Sequence, residues 1–494
     1  MMIRRQVGRS LVGLAVAIVT VGCAPALRTH SRPADAVDNE ISRVLAGLGP
    51  AVESASLSPV RYQLAERLGE YHTPGLVVVV IRDDSIRWVF SIGVATAGGN
   101  DSMTASTRFV VQSLHKPVTA YGTMRLVEQG VVALDRPIDD YLRRWHVPQS
   151  EFTTHVQPTL REILSHTAGF SVRGVPTYRD GEPVPTVLHA LDALPPAKGS
   201  AVRIEYVPGT EQRYSGGGYT VLELLLEDVT GTDFPTLMKQ LVLDPLAMQA
   251  SRFTVRMPAE WRAQAATGHD VRRVPIPGRW LGMAAGGFVS TGPDLARFVI
   301  EVGRAWRGES KPMSRETART MLSPQPHGWG LGFEVTGSGD SLSFSHTGSG
   351  GGFRTLIYGC PALRAGVVIL ANSDAANELR YEILRSVARE YGSPGPRTER
   401  RTMVALDAEA RGAVLGSYAF SDSSVMRIFE AGGSVWARWK DEMPQRIYPT
   451  SATHWFAENA TEFNFADGSA NGFIQLEWSG DFGSFKARRA MPPR

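Results

Sequence analysis

Cysteine is almost missing from this chain: of 494 residues only Cys23 and Cys360 carry a thiol. Two cysteines cannot staple a disulfide scaffold or build a Cys-based zinc finger, and such sparing use suits an oxidising compartment. An excess of one charge is missing too. Lys and Arg number 52 against 49 Asp and Glu, and Arg4, Arg5 and Arg9 account for the difference of +3, so the rest of the chain is near neutral. Without a Lys/Arg block there is no electrostatic footprint for nucleic acid, whose binding depends on clustered cations. Long hydrophobic runs are absent apart from the uncharged residues 10–27, and a mean hydropathy of -0.12 argues against a multispanning membrane protein. The 11 histidines show no H-E-x-x-H or other ligand spacing, so no metal is expected. Neither a G-x-S-x-G elbow nor a P-loop occurs, which argues against an α/β-hydrolase or an NTPase and leaves no cofactor implied.

What is present is enough apolar residue to fold: 43% hydrophobic with 20% charged. A chain of this length exceeds one ordinary domain, so two folded units are expected. Residues 1–23 have the layout of a secretory signal: three arginines, an apolar stretch over 11–22 shorter than the roughly 20 residues of a spanning helix, then Cys23. Thr20-Val21-Gly22-Cys23 resembles a bacterial lipobox, which implies that Cys23 is lipidated and anchors an exported protein at the periplasmic or cell-envelope membrane. Thr20 stands where that pattern prefers Leu, so ordinary cleavage nearby, or a retained anchor, stays open. Residues 24–40, small and polar at first and with prolines, read as a tether.

Residues 41–392 read as one domain. β-Branched runs at 76–81 and 86–92, split by Arg82-Asp83-Asp84-Ser85, carry hairpin chemistry. Helical patterns over 118–129 and 221–229 stop at Gly130 and at Thr230-Gly231. Strands return at 332–335 and 367–370. Strands at both ends with helices between predict a sheet whose members come from distant parts of the chain, with a helical cluster inserted. Residues 393–402, rich in Pro, Gly and charge, read as a linker. Over 403–494 short aromatic strands at 416–420, 425–429, 435–439, 455–456, 462–465 and 473–478 predict a small all-β barrel or meander.

The strongest local chemistry lies in Ser113-Leu114-His115-Lys116, followed by Pro117 and a helical run. If Ser113 opens that helix, Ser113 and Lys116 face the same side one turn apart, and a lysine kept neutral by burial can deprotonate the serine. The unpaired N–H groups of a helix start suit an oxyanion, and Pro117 is harmless in a first turn. Alone, this spacing also fits a polar helix start with a surface lysine. Two further motifs follow in order: Tyr214-Ser215-Gly216 and His346-Thr347-Gly348, the second continuing into Ser349 and three glycines.

Together the three motifs resemble the active-site elements of the serine β-lactamase and penicillin-binding-protein superfamily, nearest its class C β-lactamase, esterase and D-aminopeptidase branch. Leu164-Ser165-His166-Thr167-Ala168-Gly169-Phe170, Ala285-Gly286-Gly287-Phe288 and Gly330-Leu331-Gly332-Phe333 also resemble that branch. The resemblance implies an α+β fold: an antiparallel sheet flanked by helices, with the inserted cluster and a C-terminal barrel-like appendage that borders the cleft or mediates association. It implies Ser113 as acylated nucleophile, Lys116 as proton acceptor, Tyr214 as acid/base partner with a pKa lowered by nearby cations, and His346 on a strand edge facing the pocket. Gly348 and the Ser349 N–H would join the Ser113 N–H in substrate binding and the oxyanion hole. His166 is read as a structural residue outside the site. Many β-lactamases carry asparagine where Gly216 stands and lysine where His346 stands, which turns the expectation from β-lactams toward esters or D-amino-acid peptides. A true β-lactamase or D,D-peptidase, and a non-catalytic penicillin-binding or cell-wall sensor protein, remain the alternatives.

Overall fold

The computed structural model describes residues 33–55, 58–174, 176–179, 181–276, 279–281, 287–393, 395–421, 424–440, 443–469, 472–480 and 483–490. The signal-like segment, Cys23, and residues 285–286 lie outside them. The stretch expected as a tether over 24–40 is helical from Pro33 onward: α1 (Pro33–Leu45) docks through Glu40, which accepts two hydrogen bonds from Arg87, and through Arg43, paired with Glu390 at 2.6 Å.

A hairpin of β1 (Gly75–Arg82) and β2 (Ser85–Gly93) forms where the valine run predicts it, with Asp83 and Asp84 taking the left-handed conformation that a tight turn needs. The chain then leaves the sheet for the helical layer. Within it lie α2 (His115–Glu128), α3 (Gly216–Thr230), closed by left-handed Gly231, and α4 (Gly292–Arg307). It returns through β3 (Glu334–Thr336), β4 (Ser343–Gly350), β5 (Phe353–Cys360) and β6 (Ala365–Ala371), and closes the domain with α5 (Asn377–Tyr391). The sheet order is β3-β4-β5-β6-β1-β2 with every neighbour antiparallel, so β1 from the start of the domain pairs with β6 from its end.

The unbroken apolar character of β1 follows from burial on both faces. Val77, Val79 and Ile81 pack with Val368, Leu370 and the α2 and α4 residues Val118 and Phe298. Leu76, Val78 and Val80 pack on the opposite face with Val44 of α1 and Leu379 and Ile383 of α5.

The linker over 393–402 carries a short strand, Glu399–Arg401, parallel to Val52–Ser54. Beyond it eight antiparallel strands close into a barrel: β7 (Gly416–Ser421), β8 (Ser424–Ala431), β9 (Ser434–Trp439), β10 (Gln445–Pro449), β11 (His454–Ala457), β12 (Glu462–Ser469), β13 (Gly472–Gly480) and β14 (Gly483–Arg489), with β7 pairing β14. Its interior holds Tyr418, Ile428, Val435, Phe463 and Leu476. Two of these strands, β10 and β14, are not among the six read from sequence. Ile447 alone gives β10 an aliphatic anchor, and in β14 inward Ala487 is flanked by Lys486 and Arg488. The barrel is fastened by Glu458. Its carbonyl accepts the N–H groups of Ala51 and Val52 at 2.7 and 2.9 Å, and its carboxylate takes the hydroxyls of Tyr62 and Tyr448 at 3.0 and 2.7 Å. Tyr62 packs with the core on the α1 and α5 face of the sheet, behind the layer that carries α2.

Candidate active site

A short 3-10 turn, Gln112–Leu114, runs directly into α2, which sets Ser113 just ahead of the helix and Lys116 in its first turn. Gln112 adopts φ +55, a conformation that a residue with a side chain rarely holds and that turns the Ser113 backbone out of the strand before it. The Gln112 carbonyl accepts the His115 Nδ1–H at 2.8 Å, which fixes the turn from inside.

Lys116 is only 2% exposed and donates from Nζ to Ser113 Oγ at 3.2 Å. Among the described residues no carboxylate pairs with it; instead its Nζ lies 4.7 Å from the centre of the Tyr214 ring and 5.6 Å from that of Tyr219. Burial without a counter-ion lowers its pKa to about 7. A large fraction of Lys116 is therefore neutral near pH 7, which is the form that accepts a proton.

Tyr214 stands just before α3, whose N-cap Ser215 accepts the Gly218 N–H at 3.0 Å and donates to the Ser171 carbonyl at 2.8 Å. The expected lowering of the Tyr214 pKa is reversed. Its hydroxyl is buried without a well-aligned hydrogen bond, and desolvation drives the pKa well above the ordinary tyrosine value, with nearby Ser113 opposing only in part. Tyr214 is a neutral phenol, equipped to donate a proton rather than to act as a phenolate.

His346 lies on β4, 2% exposed, with Nδ1–H donating to the Thr347 carbonyl at 2.8 Å, so Nε2 carries a bare lone pair. Burial first, and then the Lys116 charge, lower its pKa to about 3. The ring is neutral at physiological pH. It supplies no cation where many β-lactamases place a lysine.

β3 pairs β4 only along Ser343–Ser345, which leaves the outer edge beyond His346 unpaired by that strand on the side of the serine. Gly348 is required there. A Cβ at this position would run into Thr355 Oγ1 and the Val111 carbonyl, groups that themselves hydrogen bond at 2.9 Å. Close approach of strand and turn thus brings Gly348 and Ser349 beside the segment that carries Ser113. From behind, Arg380 of α5 donates to the Gly348 carbonyl at 3.1 Å.

Ser113, Lys116, Tyr214 and His346 are brought together, with Gly348 and Ser349 alongside. Three residues join them that sequence reasoning left out. His166, read as lying outside, packs against Tyr214 with ring centres 4.3 Å apart and the rings tilted by 35°, and its Nδ1 accepts the Ser215 N–H at 3.2 Å. Its motif was visible in the sequence, but its partner is not. Half-exposed Trp329 closes the wall, its ring centre 5.1 Å from His166 and 5.7 Å from His346. No sequence signal marks Arg380. Cys360 is buried, and its thiol is pushed up to about 11 by desolvation. Among the described residues no group of His, Cys, Asp or Glu side chains is arranged to hold a metal ion.

The chain is similar to penicillin-binding protein 4* of Bacillus subtilis (strain 168), 22% identical over 450 residues, spanning 84% of this chain and 95% of the relative. It is 24% identical to a D-aminopeptidase of Brucella canis over 320 residues, 62% of this chain and 58% of that one. In fold it resembles an octameric penicillin-binding protein homologue from Pyrococcus abyssi, with a TM-score of 0.58 at 21% identity, covering 86% of this chain and 98% of the other. The family model for Beta-lactamase matches residues 61–390, the sheet and helical layer that hold the serine, lysine and tyrosine together: the chain belongs to the beta-lactamase family.

Proposed function

We propose that the protein is a serine hydrolase that acts on ester or amide bonds through an acyl-enzyme at Ser113. The observation that carries this reading is the lysine at hydrogen-bond distance from the serine, Lys116 Nζ 3.2 Å from Ser113 Oγ, buried so that its pKa falls to about 7. Neutral Lys116 takes the Ser113 proton as Oγ attacks the substrate carbonyl. The tetrahedral oxyanion is held by the backbone N–H groups of Ser113 and Ser349. On collapse Tyr214 donates its phenolic proton to the leaving group and recovers one from Lys116. Water then attacks the acyl-enzyme as the same pair takes its proton and passes it to Ser113 Oγ, which departs as the acid is released.

Neutral His346 and Gly216 favour esters or small D-amino-acid peptides over β-lactams, because a substrate carboxylate meets no cation at the His346 position. Similarity to a D-aminopeptidase supports the peptide end of that range. The signal-like segment and Cys23 extend the proposal to an exported enzyme anchored at a bacterial envelope by lipid. Turnover of a short-chain p-nitrophenyl ester, a D-alanyl p-nitroanilide and a chromogenic cephalosporin by the purified chain tests the substrate order. Faster ester or anilide than cephalosporin hydrolysis is expected; the reverse order would make the protein a β-lactamase, and no turnover of any of them would favour a binding protein.

A further inference from the structure

Arg380 is a buried cation that pairs with no carboxylate among the described residues. It is 2% exposed, and among the described residues its partners are neutral: Nη1 donates to the carbonyls of Gly348 at 3.1 Å and Thr355 at 3.0 Å and to Ser349 Oγ at 3.3 Å, while Nη2 donates to Asn377 Oδ1 at 2.7 Å. A guanidinium stays charged in a protein, and burying it without a counter-ion is costly. Its hydrogen bonds therefore bring a positive charge onto neutral acceptors at the strand edge beside Ser113.

The carbonyl it holds belongs to one particular peptide. Gly348 C=O and Ser349 N–H are the two ends of a single amide unit, and a donor on the carbonyl deepens the polarisation of the N–H. The same hydrogen bonds fix the plane of that amide, since Nη1 also holds Thr355, the residue registered opposite Gly348 on β5. We propose that Arg380 is a positioning residue for the oxyanion site, orienting and polarising the Gly348–Ser349 peptide so that the Ser349 N–H binds negative charge developing on the reacting carbonyl. The inference rests on the acyl-enzyme reading above. Arg380 is too buried to meet substrate, so it acts through the peptide alone.

A merely structural Arg380, tying α5 to the end of the sheet, would affect stability without favouring the transition state over the ground state. Phenylboronic acid separates the two roles, because Ser113 Oγ adds to boron and yields a tetrahedral anion as its proton passes to Lys116. The full chain is compared with Arg380→Gln and Arg380→Lys by boronate inhibition, by kcat and KM for a p-nitrophenyl ester, and by circular dichroism to verify folding. Arg380→Gln is expected to weaken boronate and lower kcat/KM in parallel by roughly tenfold to a hundredfold, less than loss of a whole oxyanion donor. KM should change little, and Arg380→Lys should recover part of the loss. Folded Arg380→Gln with unchanged boronate affinity overturns the proposal. Should Arg380→Gln not fold, Asn377→Ala, which removes only the Nη2 anchor, is expected to weaken boronate in the same sense; no change there overturns the proposal equally. Wild-type protein that binds no boronate overturns the acyl-enzyme reading itself.

Discussion

At the scale of single residues the site is defined by what burial does to charge. The Lys116 pKa falls to about 7 because burial excludes water and, among the described residues, no carboxylate replaces it. The sign of the consequence is fixed. A lysine with a depressed pKa is the active base above that value and loses its lone pair below it. The rate parameter kcat/KM for ester hydrolysis should therefore fall about tenfold per pH unit below pH 7. His346 adds no second limb between pH 5 and 8, since it is already neutral, with a pKa of about 3. A pH profile measured with a neutral ester checks both; a plateau continuing to pH 5 would contradict the role given to Lys116.

Ser113 and Lys116 are legible in sequence because they sit one helical turn apart, and their relation needs no tertiary information. His166 and Arg380 are not. The hydrogen bond from Ser215 to His166 spans 49 residues of chain, and that from Arg380 to Gly348 spans 32. The Tyr214 pKa departs from the sequence expectation for the same reason: nearby cations can be guessed from a motif, but the depth of burial that outweighs them arises only when α2, α3 and β4 close around the ring.

At the scale of elements, periodicity and turn chemistry locate β1, β2, β6, α2 and α3, whose apolar runs are long and whose ends carry turn or stop residues. The short strands β10 and β14 escape, because closure of the barrel supplies hydrogen bonds that make up for weak local preference. The tether reading of residues up to 40 fails from Pro33 onward because α1 earns its order by packing on α5, a contact between residues more than three hundred positions apart, as in the bond from Arg43 to Glu390.

The barrel is attached in part through one carboxylate. The Glu458 carboxylate accepts hydroxyls from Tyr62 of the beta-lactamase-family domain and Tyr448 of the barrel. Glu458→Ala leaves two half-buried phenols without their acceptor, a loss of about 1 to 3 kcal/mol per buried donor. Calorimetry should show the barrel transition moving to lower temperature and separating from that of the larger domain. A single unshifted transition would contradict the assignment of Glu458 as the clasp.

At the scale of the whole molecule, the sheet packs on both faces and the barrel packs separately around its own interior, and the family match over residues 61–390 covers the sheet and not the barrel. The helical layer and the free edge of β4 converge on Ser113, while the barrel docks behind the sheet. Every step proposed for the reaction passes through that serine. Its covalent capture is therefore the most direct measurement: intact mass of residues 24–494 after exposure to a fluorophosphonate, beside the Ser113→Ala variant. A single adduct on the wild type, absent from the variant, is the expected result. A folded wild type that takes no adduct, or a variant labelled as fully as the wild type, would contradict the account.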